Sequence, residues 1–559
     1  MDEVFDFVIV GSGAPSFCAA LVVKAAGKEP LVLEKTEVVG GSTAMSGGVL
    51  WAPDNPLLAR DGVPDSQAKA LTYLTQFGDC GPGASAARRK AFVAQSPKMI
   101  EFLLAHGLKF KRMQGYSDYY DERPGGTAEG RTLIAELFDL NELGPWKSRL
   151  RPGLIPSPIG FDESLKMVLI KRTWIAKWLA MKVALRSVLQ KLTGKHLVSA
   201  GYALQGRMLQ AAVKAGVQIR TDAPVRELLV EGGRVVGVRV TWNGVDRCIG
   251  ARNGVLINAG GFSHNKEMRE RYQPKPASID WTHANPGDTG EMIQEAMRIG
   301  AAVDLMEEAW WIPTALPPRP HRSPRVMVLT DTAKPHCIVV DGAGQRYMNE
   351  AASYMEVGQK MYRRHTQAQA VPSWMILDSR HRRNYFLAHQ MPGVTPREWL
   401  DSGFLKKADT LEGLAAQCGL DAASLTATVA RFNGFARRGV DEDFGRGARQ
   451  YDQWFADPTH KPVPTLGGIE EAPFYALQIF PGDVGTAGGI VADEFARALR
   501  PQGEVIEGLY ATGNSTAGVT GRFYVGAGSS VGASMTFGFI AAQHAVGAAR
   551  LRGGAAEAA

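Results

Sequence analysis

Cysteine is scarce in this chain, and the few that occur stand far apart. Cys18, Cys80, Cys248, Cys337 and Cys418 are odd in number and form no CxxC pair. That pattern argues against a disulfide framework or a zinc site and for a reducing compartment. Long apolar runs are missing too, so no transmembrane helix is expected. An apolar strand pattern begins within about five residues of Met1, which leaves no room for a signal peptide and makes a cytoplasmic location the expectation. No histidine precedes His106. A net charge of +7 over 559 residues is modest. No strand interleaves aromatic with basic residues, so no nucleic-acid partner is expected. No segment carries metal-ligand spacing, and no metal is expected.

What is present fits an ordinary folded protein, with 45% apolar and 21% charged residues. The length exceeds one compact core and implies two domains, or one with large insertions.

The chain opens on DFVIVGSGAPS, LVLEK and GGSTAMSGG. An apolar run at 7–10 breaks at Gly11, which permits a tight turn, and Gly13 lets a pyrophosphate approach backbone N–H groups at a helix start. A second apolar run, 31–33, delivers Glu34 about twenty residues on, where it can hydrogen-bond a ribose hydroxyl. The third fingerprint position is Ser16 instead of Gly or Ala. Strand, glycine turn, helix, strand and terminal Glu, in that order, imply a bound dinucleotide.

Residues 40–48 place four glycines among small hydroxyl residues directly after that carboxylate. A loop with so little side chain offers backbone on which a large planar group can lie, with Ser42, Thr43 and Ser46 as donors to a flavin. An ordinary glycine-rich connection is the bland alternative. With no imidazole in the loop for covalent attachment, the expected cofactor is FAD held non-covalently.

Helical patterns cover residues 65–109, and YSDYYDERPGG at 116–126 reads as an irregular loop. Taken alone, its tyrosines suit an amphipathic surface patch. Residues 164–195 hold eight basic residues and no acidic one. Trp174, Trp178, Met181, Leu185, Val188 and Leu192 fall on one helical stripe there. Such a helix fits peripheral contact with an anionic membrane surface. A core-packed helix with a solvated basic back fits as well.

Further on, VQIRTDAPVREL brings Val225 to where its backbone can meet an adenine edge, and GVLINAGGF returns a glycine turn, Ala259-Gly260, to the cofactor. GDTGEMIQEAMRIGA reads as a packing helix. Beyond residue 311 the character turns Pro-rich and aromatic, with residues 338–340 and the following GAG suggesting a hairpin before a helix that carries Tyr354. GLYATGN then supplies a strand and the turn Gly513-Asn514. The final Gly/Ala-rich helix can aim its N-terminal dipole at the flavin pyrimidine oxygen, stabilising the anionic reduced ring.

The fold class expected is α/β, a Rossmann-like FAD-binding domain with a second α+β catalytic domain inserted. The divisions are 1–311, with a basic helical insertion at about 130–200, then 312–480 for the catalytic domain, and 481–559 for the return. The expected cofactor contacts begin with Gly11, Gly13 and Ala14 at the phosphates and Glu34 and Lys35 at the ribose. Gly41, Ser42, Thr43, Ser46, Gly47 and Gly48 follow under the flavin. Val225, Ala259, Gly260, Gly513, Asn514, Ser530 and Val531 complete the set.

With the N-terminal fingerprint, GGSTAMSGG, AGGF, GTAGGI and GLYATGN in this order, the chain resembles the succinate dehydrogenase/fumarate reductase flavoprotein superfamily. The resemblance covers nearly the whole chain apart from about 130–200. Within it, SDYYDERPGG, NEAASYMEVGQ and GRFYVGAGSSVGASMTFG are similar to 3-ketosteroid Δ1-dehydrogenases. The resemblance implies a 3-oxosteroid substrate, an external electron acceptor, and removal of hydrogens from C1 and C2 of the A-ring. By the same resemblance Tyr524 and the backbone N–H of Gly528 donate to the C3 carbonyl. Tyr354, helped by Tyr119, takes the C2 proton, and flavin N5 accepts hydride from C1. Tyr120 adjoins Tyr119 and is the alternative match. Arg522-Phe523 and Val525-Gly526-Ala527 stand where the family often shows His-Thr and Pro-Gly-Pro, departures that bear on loop shape and substrate preference.

Three rivals compete. A fumarate-type reductase needs Arg and His for a dicarboxylate, yet Gly485 occupies the position where a His would precede Thr486-Ala487-Gly488-Gly489, and Arg522 is the one evident cation of the last motif. A 3-oxo-5α-steroid 4-dehydrogenase, or another flavin dehydrogenase of cyclic ketones, is closer. A membrane-surface flavoprotein acting in binding or electron transfer is the alternative of another class.

Overall fold

The computed structural model describes residues 1–319 and 324–556, with side chains to residue 547. β1 (Phe7–Val10), α1 (Ala14–Ala25) and β2 (Pro30–Leu33) form the opening unit. Every residue of both strands is buried, as befits parallel strands covered on two faces. Residues 40–48, expected as a loop, wind into a short helix, α2 (Gly41–Met45), whose glycines at 40 and 41 take positive φ. After it come α3 (Ala86–Ala105), α4 (Phe161–Met167), α5 (Trp174–Leu192) and α6 (Ala200–Lys214). β3 (Gln218–Arg220) and β4 (Val255–Ile257) return to the first sheet.

The second half contributes β5 (Ala309–Ala315), β6 (Val326–Met327), β7 (Cys337–Val340), α7 (Tyr354–His365), β8 (Ser373–Leu377) and β9 (Phe474–Thr486). β10 (Arg497–Leu499), β11 (Val505–Ala511) and α8 (Ser529–Ala556) close the chain.

The first sheet has the order β10-β11-β4-β1-β2-β3, parallel except at β10. The second is antiparallel, in the order β6-β5-β9-β8-β7. The α/β cofactor unit and the inserted α+β unit correspond to these two sheets, but the expected divisions at 311/312 and 480/481 cut β5 and β9, which pair with each other and lie wholly in the second sheet. The hairpin expected at 338–340 is absent. β7 pairs with β8 instead, and only a single bridge joins Val340 to Arg346. α1 and α8 approach closely, since a Cβ on Gly538 would stand 2.7 Å from the Pro15 carbonyl oxygen.

α5 is the exception to this packing. Only Ala176 and Leu179 of its nineteen residues are buried, while Trp174 is 83% and Leu192 78% exposed. The core-packed expectation for this helix is therefore wrong. No other described segment is laid over its apolar stripe, so period alone could not have buried it. None of the described helices is long and apolar enough to cross a membrane.

Candidate active site

A single cavity of about 400 Å³ joins the two halves of the molecule. Gly11, Gly13, Glu34, Lys35 and Val225 line one end, and Tyr119, Tyr354, Tyr524 and Gly528 the other. Between them lie Gly41, Ser42, Thr43, Ser46, Gly47, Ala259, Gly260, Gly513, Asn514, Ser530 and Val531. Ala14 and Gly48 do not reach it. Ala14 is buried one residue behind the turn, its N–H bonded to Thr43 Oγ1 at 3.3 Å. Gly48 is a packing glycine: at φ +64° its Cβ would stand 2.2 Å from the Ala200 carbonyl carbon.

The nucleotide end is built by backbone. At φ +97° Gly11 lies so close to the Asn258 carbonyl oxygen, 2.1 Å from a would-be Cβ, that no side chain fits. Gly13 caps α1 with no side-chain bond and no acidic residue in the first turn, which leaves the helix N–H groups and dipole to an anion. Ser16, the imperfect fingerprint position, accepts from Asn258 Nδ2 at 2.7 Å and ties α1 to the end of β4. The Glu34 carboxylate accepts from Ser12 and Thr36 and so has a fixed orientation. This cradle fits a dinucleotide diphosphate and ribose.

Of the hydroxyls expected as flavin donors, two already donate within the protein, while Thr43 accepts and keeps its own hydrogen to donate. Ser42 donates to Asp288 at 3.0 Å, Ser46 donates to the Thr43 carbonyl at 2.8 Å, and Thr43 accepts from Ala14. Asp288 was not singled out from the sequence, where its segment read as a packing helix. It lines the cavity, and burial, opposed by Ser42, Lys35 and Asn285, lifts its carboxyl to about 7. The signal available was Asn285-Pro286-Gly287-Asp288, a turn motif set before a helix.

The opposite end is built by side chains. The loop at 116–126 is held by Asp118, which accepts from Trp51 Nε1 at 2.7 Å and from Arg131 at 2.6 Å. The Tyr119 N–H donates to the Val525 carbonyl at 3.0 Å, and Tyr73 donates to the same oxygen at 2.7 Å. The tyrosines expected as a surface patch are buried, because the segment around 525 closes over them. Tyr119 lines the cavity, whereas Tyr120 turns away to pack on Phe77 and Phe523.

Tyr354, the first residue of α7, brings its ring centroid to 4.8 Å from that of Tyr524 and 5.6 Å from that of Tyr119. The Tyr524 hydroxyl lies 3.1 Å from Ser530 Oγ, and the Tyr119 hydroxyl 3.2 Å from that of Tyr116. Burial pushes the phenols of Tyr119 and Tyr354 well above their ordinary range. Gly528 takes φ +85° with its would-be Cβ 2.3 Å from the Val49 carbonyl oxygen, and its own carbonyl accepts from Trp51 and Gly532. Its peptide is therefore fixed at the cavity wall. Arg522 is neutralised by Glu307 and by Glu308, the latter at 2.9 Å. Among the described residues no cluster could hold a metal ion.

A family model described as FAD binding domain matches residues 6–531. The chain is 42% identical over 555 residues to the 3-oxosteroid 1-dehydrogenase of Mycolicibacterium smegmatis, covering 96% of each chain. The chain belongs to this family of FAD-binding flavoproteins. The 3-oxosteroid 1-dehydrogenase of Mycobacterium tuberculosis is 41% identical, with 97% of this chain and 98% of that one covered. A crystal structure of the 3-ketosteroid Δ1-dehydrogenase from Sterolibacterium denitrificans, in complex with 1,4-androstadiene-3,17-dione, superposes with a TM-score of 0.92. That pair is 35% identical and covers 98% of this chain and 100% of the other. The cofactor of this flavoprotein is FAD.

Proposed function

We propose that this flavoprotein is a 3-ketosteroid Δ1-dehydrogenase, in which Tyr354 takes a proton from C2 while Tyr524 and the Gly528 N–H hold the C3 oxygen. The observation that carries this reading is the convergence of Tyr119, Tyr354 and Tyr524, from three distant segments, on one end of the cofactor cavity. A C–H bond beside a ketone becomes acidic when its carbonyl is polarised. Two fixed donors in a site closed to water stabilise the developing enolate by about 3 kcal/mol each. FAD, when bound, supplies the two-electron acceptor for the hydrogen leaving C1.

A phenol that burial keeps protonated is a poor base at neutral pH, so the proton on Tyr354 must be drawn off as the C2 proton arrives. Tyr119 packs edge-on against Tyr354, and its own hydroxyl is paired with that of Tyr116. The apolar rings also suit a flat apolar substrate. With Arg522 paired to Glu307 and Glu308, the last motif has no cation left over for a dicarboxylate.

The reading extends to where the substrate comes from. Phe161 and Leu165 of α4 line the cavity. Glu163, between them, accepts from Arg186 of α5 at 2.7 and 3.0 Å. The helix pair thus has one face on the cavity and, on α5, an exposed stripe of Trp174, Trp178, Met181 and Leu185 flanked by exposed lysines. Indole and aliphatic groups beside lysines match an anionic bilayer surface, from which a water-insoluble steroid can be drawn. This supports peripheral membrane contact through residues 164–195, with an external electron acceptor completing the cycle.

The test is turnover of purified holoenzyme on a 3-oxo-4-ene steroid, a saturated 5α-3-oxosteroid and a simple cyclohexanone, each with an artificial electron acceptor. Products two mass units lighter, with the new double bond at C1–C2, are expected from the steroids. Desaturation only at C4–C5, only of the cyclohexanone, or of none of them would refute the assignment.

A further inference from the structure

Arg88, in the first turn of α3, is a fully buried cation without a carboxylate partner among the described residues. Its Nη1 donates to the carbonyls of Gly83 and Ala517, and its guanidinium stands 4.6 Å from the ring centroid of Phe537 in α8. Its Nε has no partner among the described residues. The charge that acts on it most, Asp493, is itself paired with Arg497 at 2.7 Å. Burial draws the guanidinium down to about 10, so it remains charged at neutral pH. An unpaired charge at such depth is unfavourable unless something nearby answers it.

What lies nearby is the flavin end of the cofactor cavity. A pocket of about 20 Å³, room for about one water molecule, separates Arg88 from the start of α8. Arg88 forms one side of it, and Asn514, Ser530 and Ser534 form the other. Those three residues also line the main cavity, so the small pocket and the cavity share a wall. The Ser534 hydroxyl donates back to the Ser530 carbonyl.

We propose that Arg88 is an electrostatic positioning residue: its uncompensated charge, added to the N-terminal dipole of α8, favours the negative charge that the flavin takes up on reduction. This rests on the expectation that the flavin pyrimidine ring lies against the start of α8. The balance is complete. With FAD bound, the substrate would lose one proton to Tyr354 and one hydrogen with its electron pair to the cofactor, and Arg88 would oppose the one negative charge so added.

The experiment measures the midpoint potential of the bound FAD by dye equilibration, and the dissociation constant of the flavin–sulfite adduct, which forms where negative charge is stabilised. Arg88→Met is expected to lower the potential by about 30 mV or more, a tenfold change for two electrons, and to weaken sulfite binding about as much. Arg88→Lys is expected to stay within about threefold on both measures. Arg88→Gln, which removes the charge and keeps donors for Gly83 and Ala517, carries the same test should the methionine variant fail to fold. Charge-neutral variants with full FAD and unaltered potential and sulfite affinity would overturn the role of Arg88. A wild-type protein that forms no sulfite adduct would instead refute the placement of the flavin against α8.

Discussion

Two sets of aromatic residues in this protein look alike as sequence and are treated in opposite ways. Tyr119, Tyr354 and Tyr524 are 1%, 8% and 4% exposed, whereas Trp178 is 54% exposed. Both sets combine a large apolar ring with a polar tip. The tyrosines are covered by one another, by Tyr451 and by the segment around Val525. The hydroxyls of Tyr119 and Tyr524 find partners at Tyr116 and Ser530, which meets the cost of burying those polar groups. Among the described residues nothing is laid over the stripe of α5, and its apolar area stays in water at a cost of about 25 cal/mol per Å². The difference teaches that the same kind of side chain is buried or left open according to which distant segments reach it.

The sharpest way to break this comparison is at the base. Tyr354→Phe should lower kcat by about 10² to 10⁴-fold with FAD content unaltered, as read by steady-state kinetics. Since burial holds the Tyr354 phenol above its usual range, the ionised fraction, and with it kcat, should rise with pH through the neutral and alkaline range. The limit is about tenfold per pH unit, and the variant should lose this slope. Tyr524→Phe removes one donor to the oxygen and should cost about 10² to 10³-fold. An unaltered rate in either variant would dissolve the cluster as a catalytic unit.

At the open set, the combined variant Trp174→Ser, Trp178→Ser, Leu185→Ser should lose about tenfold or more of its partitioning onto anionic vesicles, measured by cosedimentation. Its turnover of dissolved steroid should match that of the parent. Glu163→Gln should free α5 from α4 and make it cut severalfold faster by protease. The Glu163 carboxyl is buried, yet Arg186, the Gly160 N–H and Lys182 hold it at about 2, below its ordinary value of 4.5. A depressed carboxyl contributes stability that is present above about 4.5 and lost as the pH falls toward 2, so the parent should show the same sensitivity only in acid. Smallest of all, Tyr120→Phe should leave kcat within about threefold, since that ring packs on Phe77 and Phe523 outside the cavity. A loss as large as that of Tyr354→Phe would reverse the choice between Tyr119 and Tyr120.

Much of the cofactor end was legible along the chain. Gly11, Gly13 and Glu34 carry their geometry in local spacing, because a tight turn, a helix start and a strand end are properties of a few consecutive residues. The same logic read residues 40–48 as a loop, where Gly41–Met45 winds into a short helix. It also passed over Asp288, whose burial depends on α2 lying across it.

By itself, the sequence determined the dinucleotide turn, the parallel opening strands and the amphipathic period of α5, all set by backbone conformation and residue period over short range. Only the tertiary structure decided that Tyr119 and not Tyr120 faces the cavity, that three tyrosines from residues 119, 354 and 524 share one end of it, and that the stripe of α5 is left uncovered. Burial is fixed by which distant segments arrive, and no local pattern records their arrival. Arg88 is the extreme case, an ordinary helix residue in the sequence that becomes a buried charge only because α8 is laid against it.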